Sequence, residues 1–150
     1  MNRFPTLVLF VLLVVGGGSL IGVMNLPGSW YEALIKPSFN PPNWVFGPVW
    51  TLLYLMISVA GWRTFEHRRS SFAMKAWWAQ LVLNVAWSPV FFTLHSLAGA
   101  FAVIIALLVA ILAFMTASWS EDRVAFGLFV PYLAWTSFAT LLNGALLWLN

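Results

Sequence analysis

A chain of 150 residues that is 62% hydrophobic and 17% aromatic but only 7% charged lies far outside the composition of a water-soluble domain and reads as an integral membrane protein. The absence of cysteine excludes disulfides, thiolate metal sites and cysteine nucleophiles. The net charge of +3 would suggest nucleic acid in a soluble chain, but here the basic residues cluster at the ends of apolar segments, where membrane topology accounts for them and no nucleic-acid partner is needed. There is room for about five spans and short loops without a separate soluble part, so residues 1–150 are read as one domain.

The first predicted span is 6–24, a run without a charge that as a helix covers about 29 Å, the thickness of a hydrocarbon core. Arg3, an apolar run and small residues at Gly16 to Ser19 have the outline of a signal peptide, but the run continues past the small residues, which favours a retained span. Gly16, Gly17, Gly18, Ser19 and Gly22 make that helix too flexible to stand alone and call for a closely packed neighbour. Residues 25–42 form a long loop, read as a lid, that carries Trp30, Tyr31, Glu32 and Lys36. Trp30 and Tyr31 also fit the aromatic belt of a membrane interface.

Pro41 and Pro42 hold the chain extended, so a helix is expected to begin just after them, with Asn43 capping its free amides and Pro48 near its start. From there Phe46, Trp50 and Tyr54 recur every four residues and line one face, read as a wall of a ligand cavity. This second span is placed at 43–62. The charged stretch Arg63, Glu66, His67, Arg68, Arg69 and Lys75 is placed in a loop. A third span at 76–94 puts Gln80, Asn84, Trp87 and Phe91 on one face. Amides at membrane depth are costly unless paired, so that face should look into the bundle or a cavity, and Pro89 is a candidate kink. The fourth span, 97–119, has Ala98, Ala102, Ala106 and Ala110 as a small-residue ladder suited to close helix packing, within the bundle or across a symmetric dimer. The fifth, 126–149, sets Trp135, Ala139 and Leu142 on one face and Tyr132, Thr136, Thr140 and Asn143 on the next.

Five spans place six of the seven Lys and Arg residues on one side, leaving Lys36 alone on the other. By the positive-inside tendency the amino terminus is cytoplasmic in an inner or plasma-type membrane, and an outer or organellar membrane is the alternative. No Asp, Glu, Lys or Arg falls inside the five apolar runs, which argues against proton-coupled or ion-pumping transport. His67 and His95 are expected in loops at opposite faces, so no metal site and no catalytic pair is predicted.

The blocks WYEALIKPSFNPPNWVFGPVW from Trp30, AQLVLNVAWSPVFF from Ala79 and VPYLAWTSFATLLN from Val130 resemble, in that order, the TspO/MBR family, whose members are known as translocator proteins, tryptophan-rich sensory proteins and peripheral benzodiazepine receptors. The resemblance implies an all-α bundle of five transmembrane helices, commonly a homodimer, with a cavity under the first long loop. It implies hydrophobic ligands, above all tetrapyrroles such as protoporphyrin IX and haem, and no required cofactor. Its ligand residues map onto Trp50, Asn84, Trp87, Trp135, Ala139 and Leu142, and Trp30 matches a lid aromatic tied to porphyrin handling. Sensing, sequestration or transport is the implied role; light-dependent porphyrin breakdown, with Trp50 and Trp135 as the reactive indoles, is the alternative. The sterol pattern of animal members, a tyrosine followed by a basic residue, has no counterpart in NGALLWLN from Asn143, which argues against cholesterol as a ligand. Lys36 is the one basic residue on the lid side that could meet a porphyrin propionate.

Overall fold

The computed structural model describes residues 3–150, and among them there is no strand. The helices are α1 (Phe4–Met24), α2 (Ser29–Ala33), α3 (Asn43–Arg68), α4 (Phe72–Ser88), α5 (Leu97–Ser118) and α6 (Arg123–Leu149). Four of them, α1, α3, α5 and α6, are long and apolar enough to cross a membrane. The expected third span, α4, is outside that set. It has 17 residues, ended by Pro89, and carries Lys75, Gln80, Asn84 and three tryptophans.

The helix ends follow from local chemistry, and several differ from expectation. Pro42, not Asn43, occupies the cap position of α3, at φ −58° and ψ 143°, and no side chain bonds the free amides there. Proline fixes its own φ and restricts its predecessor, so the first helical residue is the one straight after the pair. At its far end α3 continues past Trp62 to Arg68, because its charged residues find partners across the bundle. Arg63 grips Asp122 with two nitrogens, at 3.0 and 3.1 Å, and Arg68 pairs with Glu121. His67 therefore lies in the last helical turn and not in a loop; it accepts from Arg3 Nη1 at 3.1 Å and its Nδ1 meets the Arg63 carbonyl at 2.8 Å. Helix α4 begins at Phe72 instead of Ala76 because Ser71 Oγ accepts from the Met74 amide. Asp122 does the same for α6 with the Val124 and Ala125 amides, which starts that helix at Arg123 instead of Phe126.

Pro89 does not simply bend α4. It opens a wide turn, Pro89–Thr93, in which the Leu94 amide reaches back to the Pro89 carbonyl at 2.9 Å. A proline has no N–H to give and crowds the carbonyl of the preceding turn, so the chain widens there. A second wide turn, Leu12–Gly16, interrupts α1 just before its glycines.

Helix α5 packs on α4 and α6, α6 on α3, and α3 on the first part of α1, while Gly17–Met24 lean instead on α4. At the Arg63 end the packing is solid. Phe10, Ile57, Trp77, Ile111, Phe114 and Phe129 are buried there, with the Phe114 and Phe129 rings 4.1 Å apart. A Cβ on Gly61 would lie 2.3 Å from the Trp77 indole, whose Nε1 donates to the Ile57 carbonyl at 3.0 Å. Only glycine lets that ring lie flat on α3. The alanine ladder of α5 points elsewhere: Ala98, Ala102 and Ala106 are exposed on the outside of the bundle, and Ala110 is buried.

Asp122 joins three roles, as ion-pair partner, helix cap and tie between α3 and α6. Burial alone would raise its carboxyl, but the Arg63 guanidinium and the Ala125 and Val124 amides outweigh it and hold the group below the usual carboxylate range. A carboxyl depressed in the folded state stabilises fully above its unfolded pKa of about 3.9, and that contribution is lost as pH falls through the lower folded value. Asp122→Ala should cost about 1–3 kcal/mol, read as a lowered thermal midpoint in detergent at pH 7. Asp122→Asn should lose the acid limb of the stability profile that the unaltered chain shows.

Candidate ligand cavity

Towards the other end the helices part around a hollow of about 380 Å³, within the range of roughly 300–1,000 Å³ typical of small-molecule sites. Helix α3 lines it with Phe46, Trp50 and Tyr54, one ring per turn. Helix α4 and its wide turn add Asn84, Trp87 and Phe91; α6 adds Trp135, Ala139 and Leu142; Gly18 and Gly22 of α1 and Tyr31 of α2 complete the wall. None of the lining residues is charged. The rings brace one another, Phe46 edge-on to Trp135 at 5.8 Å, Trp50 against Tyr54 at 5.5 Å and Trp87 stacked on Phe91 at 4.8 Å.

Each amide at depth has at least one partner, as its cost in an apolar medium requires, and Gln80 Nε2 is left without one. Asn84 Nδ2 donates to Tyr132 Oη at 2.8 Å, and that hydroxyl donates to Gln80 Oε1 at 2.8 Å. Trp87 Nε1 donates to Asn143 Oδ1 at 3.1 Å, and Asn143 Nδ2 to the Leu97 carbonyl at 3.1 Å. Pairing between helices and contact with the hollow, which compete as readings of the sequence, coexist in Asn84.

The structure thus brings eight of the nine sequence-predicted residues, Phe46, Trp50, Tyr54, Asn84, Trp87, Trp135, Ala139 and Leu142, around one space. Trp30 is the exception. It lies outside the wall, stacked on His95 at 4.4 Å and edge-on to Phe91 at 5.7 Å. In a short helix the adjacent residue points about 100° away, so Tyr31 faces the hollow in its place. Burial raises the Tyr31 phenol above its ordinary range, and a hydrogen bond from Asn40 offsets part of that. Lys36 is also engaged locally. Its ammonium donates to the carbonyls of Tyr31, Glu32 and Leu34 at 2.8, 3.2 and 3.3 Å and sits 4.6 Å above the Tyr31 ring, so it caps α2 and does not line the hollow.

Residues outside the predicted set also line the space, among them Thr136, Asn143 and Leu146 of α6. Leu146 continues the Leu142 face by one turn, a signal present in the sequence. The glycines divide by role. A Cβ on Gly18 would lie 2.4 Å from the Tyr54 ring, whereas Gly16, Gly17 and Gly22 have nothing within 4 Å. The hollow opens sideways between Gly17–Met24 and the first turns of α3, where Ser19, Gly22, Gly47 and Thr51 are exposed edges of the lining.

Apolar helices enclosing an uncharged, aromatic-walled hollow are the mark of an integral membrane protein with an internal cavity. The chain belongs to the TspO/MBR family, whose model matches residues 9–149. It is 39% identical to the tryptophan-rich sensory protein of Cereibacter sphaeroides over 100% of this chain and 95% of that one. It is 35% identical to protein CrtK of Rhodobacter capsulatus, over 95% and 91%, and 36% identical to the translocator protein of Homo sapiens, over 76% and 70%.

The close approach at Gly18 gives a paired prediction. Gly18→Ala should displace the Tyr54 ring and lower stability by about 1–3 kcal/mol, whereas Gly22→Ala should be neutral or slightly stabilising through its better helix propensity. Thermal melts of the two variants in one detergent decide between them.

Proposed function

We propose that the chain binds tetrapyrroles, protoporphyrin IX and haem among them, and related flat hydrophobic ligands in this hollow, and that it acts in their sensing, sequestration or transport. One observation carries the reading: five aromatic rings, Phe46, Trp50, Tyr54, Trp87 and Trp135, contributed by three helices, face a single uncharged space. A porphyrin needs broad apolar walls, and its two carboxylates need water or polar groups at the mouth. Ser19, Asn25, Asn43 and Thr51 supply neutral polar groups at the edge of the hollow. Family membership supports the same class of ligand.

In this reading α4, with its wide turn, is the fifth span, the amino terminus is cytoplasmic, and the segment between α1 and α3 is the lid. Three ties support the lid's placement. The Asn150 side-chain amide pairs with both backbone groups of Ile35 at 2.9 Å, Asn25 bonds Thr93, and Lys36 caps α2. A homodimer would use the outer face of α5, where Ala98, Ala102 and Ala106 allow close approach.

Protoporphyrin IX added to the detergent-purified protein should quench tryptophan fluorescence saturably with one-site stoichiometry; linear, non-saturating quenching rules the reading out. Trp50→Phe and Trp135→Phe should each weaken binding by about two- to tenfold, since an aromatic contact is worth roughly 0.5–1.5 kcal/mol beyond burial. Under illumination the same variants test the alternative. Breakdown of bound porphyrin that disappears in them while binding persists would identify an indole-dependent reaction. For the dimer, Ala102→Leu should reduce the cross-linked species on gels, and an unchanged pattern would place the interface on another helix.

A further inference from the structure

The chain of bonds from Gln80 through Tyr132 to Asn84 is more than a tie between α4 and α6. Gln80 and Tyr132 are wholly buried, and Asn84 is 8% exposed, on the wall of the hollow. One end of the Asn84 amide is held by the Tyr132 hydroxyl at 2.8 Å, and the other has no bond to the protein among the described residues. What Asn84 offers a ligand is therefore set by which of its atoms Tyr132 holds.

The heavy-atom positions admit two senses. In the first, Asn84 Nδ2 donates to Tyr132, Tyr132 donates to Gln80 Oε1, and Gln80 Nε2 is left buried with no partner. In the second, both carboxamides are turned by half a revolution. Gln80 Nε2 then donates to Tyr132 Oη, Tyr132 donates to Asn84 Oδ1, and the atoms without a partner are the Gln80 carbonyl oxygen, enclosed, and Asn84 Nδ2, which is on the hollow where a guest or water can accept from it. Both distances stay at 2.8 Å. Buried amide donors without a partner are rarer than unfilled carbonyl acceptors, because an oxygen keeps other lone pairs and weaker contacts while an N–H has nowhere else to go. The second sense is the more favourable, and it turns the Asn84 NH₂ towards the hollow.

We propose that Gln80 and Tyr132 are positioning residues that orient Asn84 as a hydrogen-bond donor, so that the hollow prefers ligands with a neutral acceptor, such as a ketone, ester or ether oxygen, at that point. A carboxylate is disfavoured there because no lining residue is cationic. The inference rests on the hollow being a ligand site, and its test separates the two.

The probes are 2-acetylnaphthalene and 2-ethylnaphthalene, similar in shape and differing by the ketone oxygen. Each is titrated calorimetrically into the detergent-solubilised full chain and corrected for partition into empty micelles. The ketone should bind about three- to tenfold tighter than the hydrocarbon, and its carbonyl stretch should move to lower frequency when bound. Tyr132→Phe should bring the ketone down to the hydrocarbon's affinity and remove the frequency shift, while hydrocarbon binding holds. Asn84→Asp should remove the frequency shift, and Gln80→Met should narrow the preference without abolishing it. Equal binding of the two probes to the unaltered chain overturns the inference and leaves the hollow a ligand site. A ketone preference that survives Tyr132→Phe also overturns it. Binding of neither probe removes the ligand-site reading and this inference with it. Should Tyr132→Phe fail to fold, the carbonyl stretch in the unaltered chain decides, an unshifted band overturning the inference.

Discussion

Polar side chains at the depth of a hydrocarbon core must find partners, and the shape of this bundle follows from how they do. Gln80 and Asn84 on α4 meet Tyr132 on α6, and Trp87 on α4 meets Asn143 on α6, which in turn holds the Leu97 carbonyl at the start of α5. Helices that interact through apolar surface alone gain little from one another in lipid, which is as apolar as they are. Directional bonds fix spacing as well as contact. Here they tie α4 to α6 on the side of α5, so the residues one turn further round, Trp87 and Trp135, look into the same space instead of closing on each other.

The two ends of the molecule solve opposite problems with the same residue types. At the Arg63 end an indole is used as filler: Trp77 lies on Gly61 and is edge-on to Trp78 at 4.8 Å, leaving no room. At the other end indoles are used as wall, held upright by ring contacts to Phe46, Phe91 and Tyr54. Glycine decides which outcome occurs. Gly18 lets the Tyr54 ring slide under α1 and so floors the hollow, while Gly22 and Gly47 meet nothing and simply leave their edges thin. The ion pairs gather around Arg63, Arg68, Glu121 and Asp122, where water screens them, and none reaches the hollow. The lining offers π-faces, aliphatic side chains and neutral hydrogen-bonding groups.

Much of this arrangement was legible in the sequence because helical periodicity survives in a membrane as well as in water. The four-residue recurrence of Phe46, Trp50 and Tyr54, and the Gln80, Asn84, Trp87 face, needed no tertiary information to place. The illegible parts depend on contacts between distant segments. The extension of α3 to Arg68 is hidden until Glu121 and Asp122 are known to lie opposite. Trp30 could not be told from Tyr31 as the residue facing the hollow, because a helix as short as α2 takes its rotation from what it rests on, here Phe91, Phe92 and His95. Of the five glycine and serine positions near the end of α1, only the ring of Tyr54 singles out Gly18, and that ring comes from another helix.

Helix α4 shows why composition and burial have to be read together. It is shorter than α1, α3, α5 and α6, at 17 residues, and it is also the one with Trp77 and Gln80 wholly buried and Asn84 nearly so. A helix whose apolar run is interrupted by two amides gains little from facing lipid and much from partners that can satisfy it; it packs along α5 and is bonded to α6 through Gln80, Asn84 and Trp87. Helix α1 is the converse. Leu9, Leu12, Leu20 and Val23 are exposed, its second half leaves α3, and the slot into the hollow opens beside it. The helix most at ease in lipid is thus the one that borders the opening.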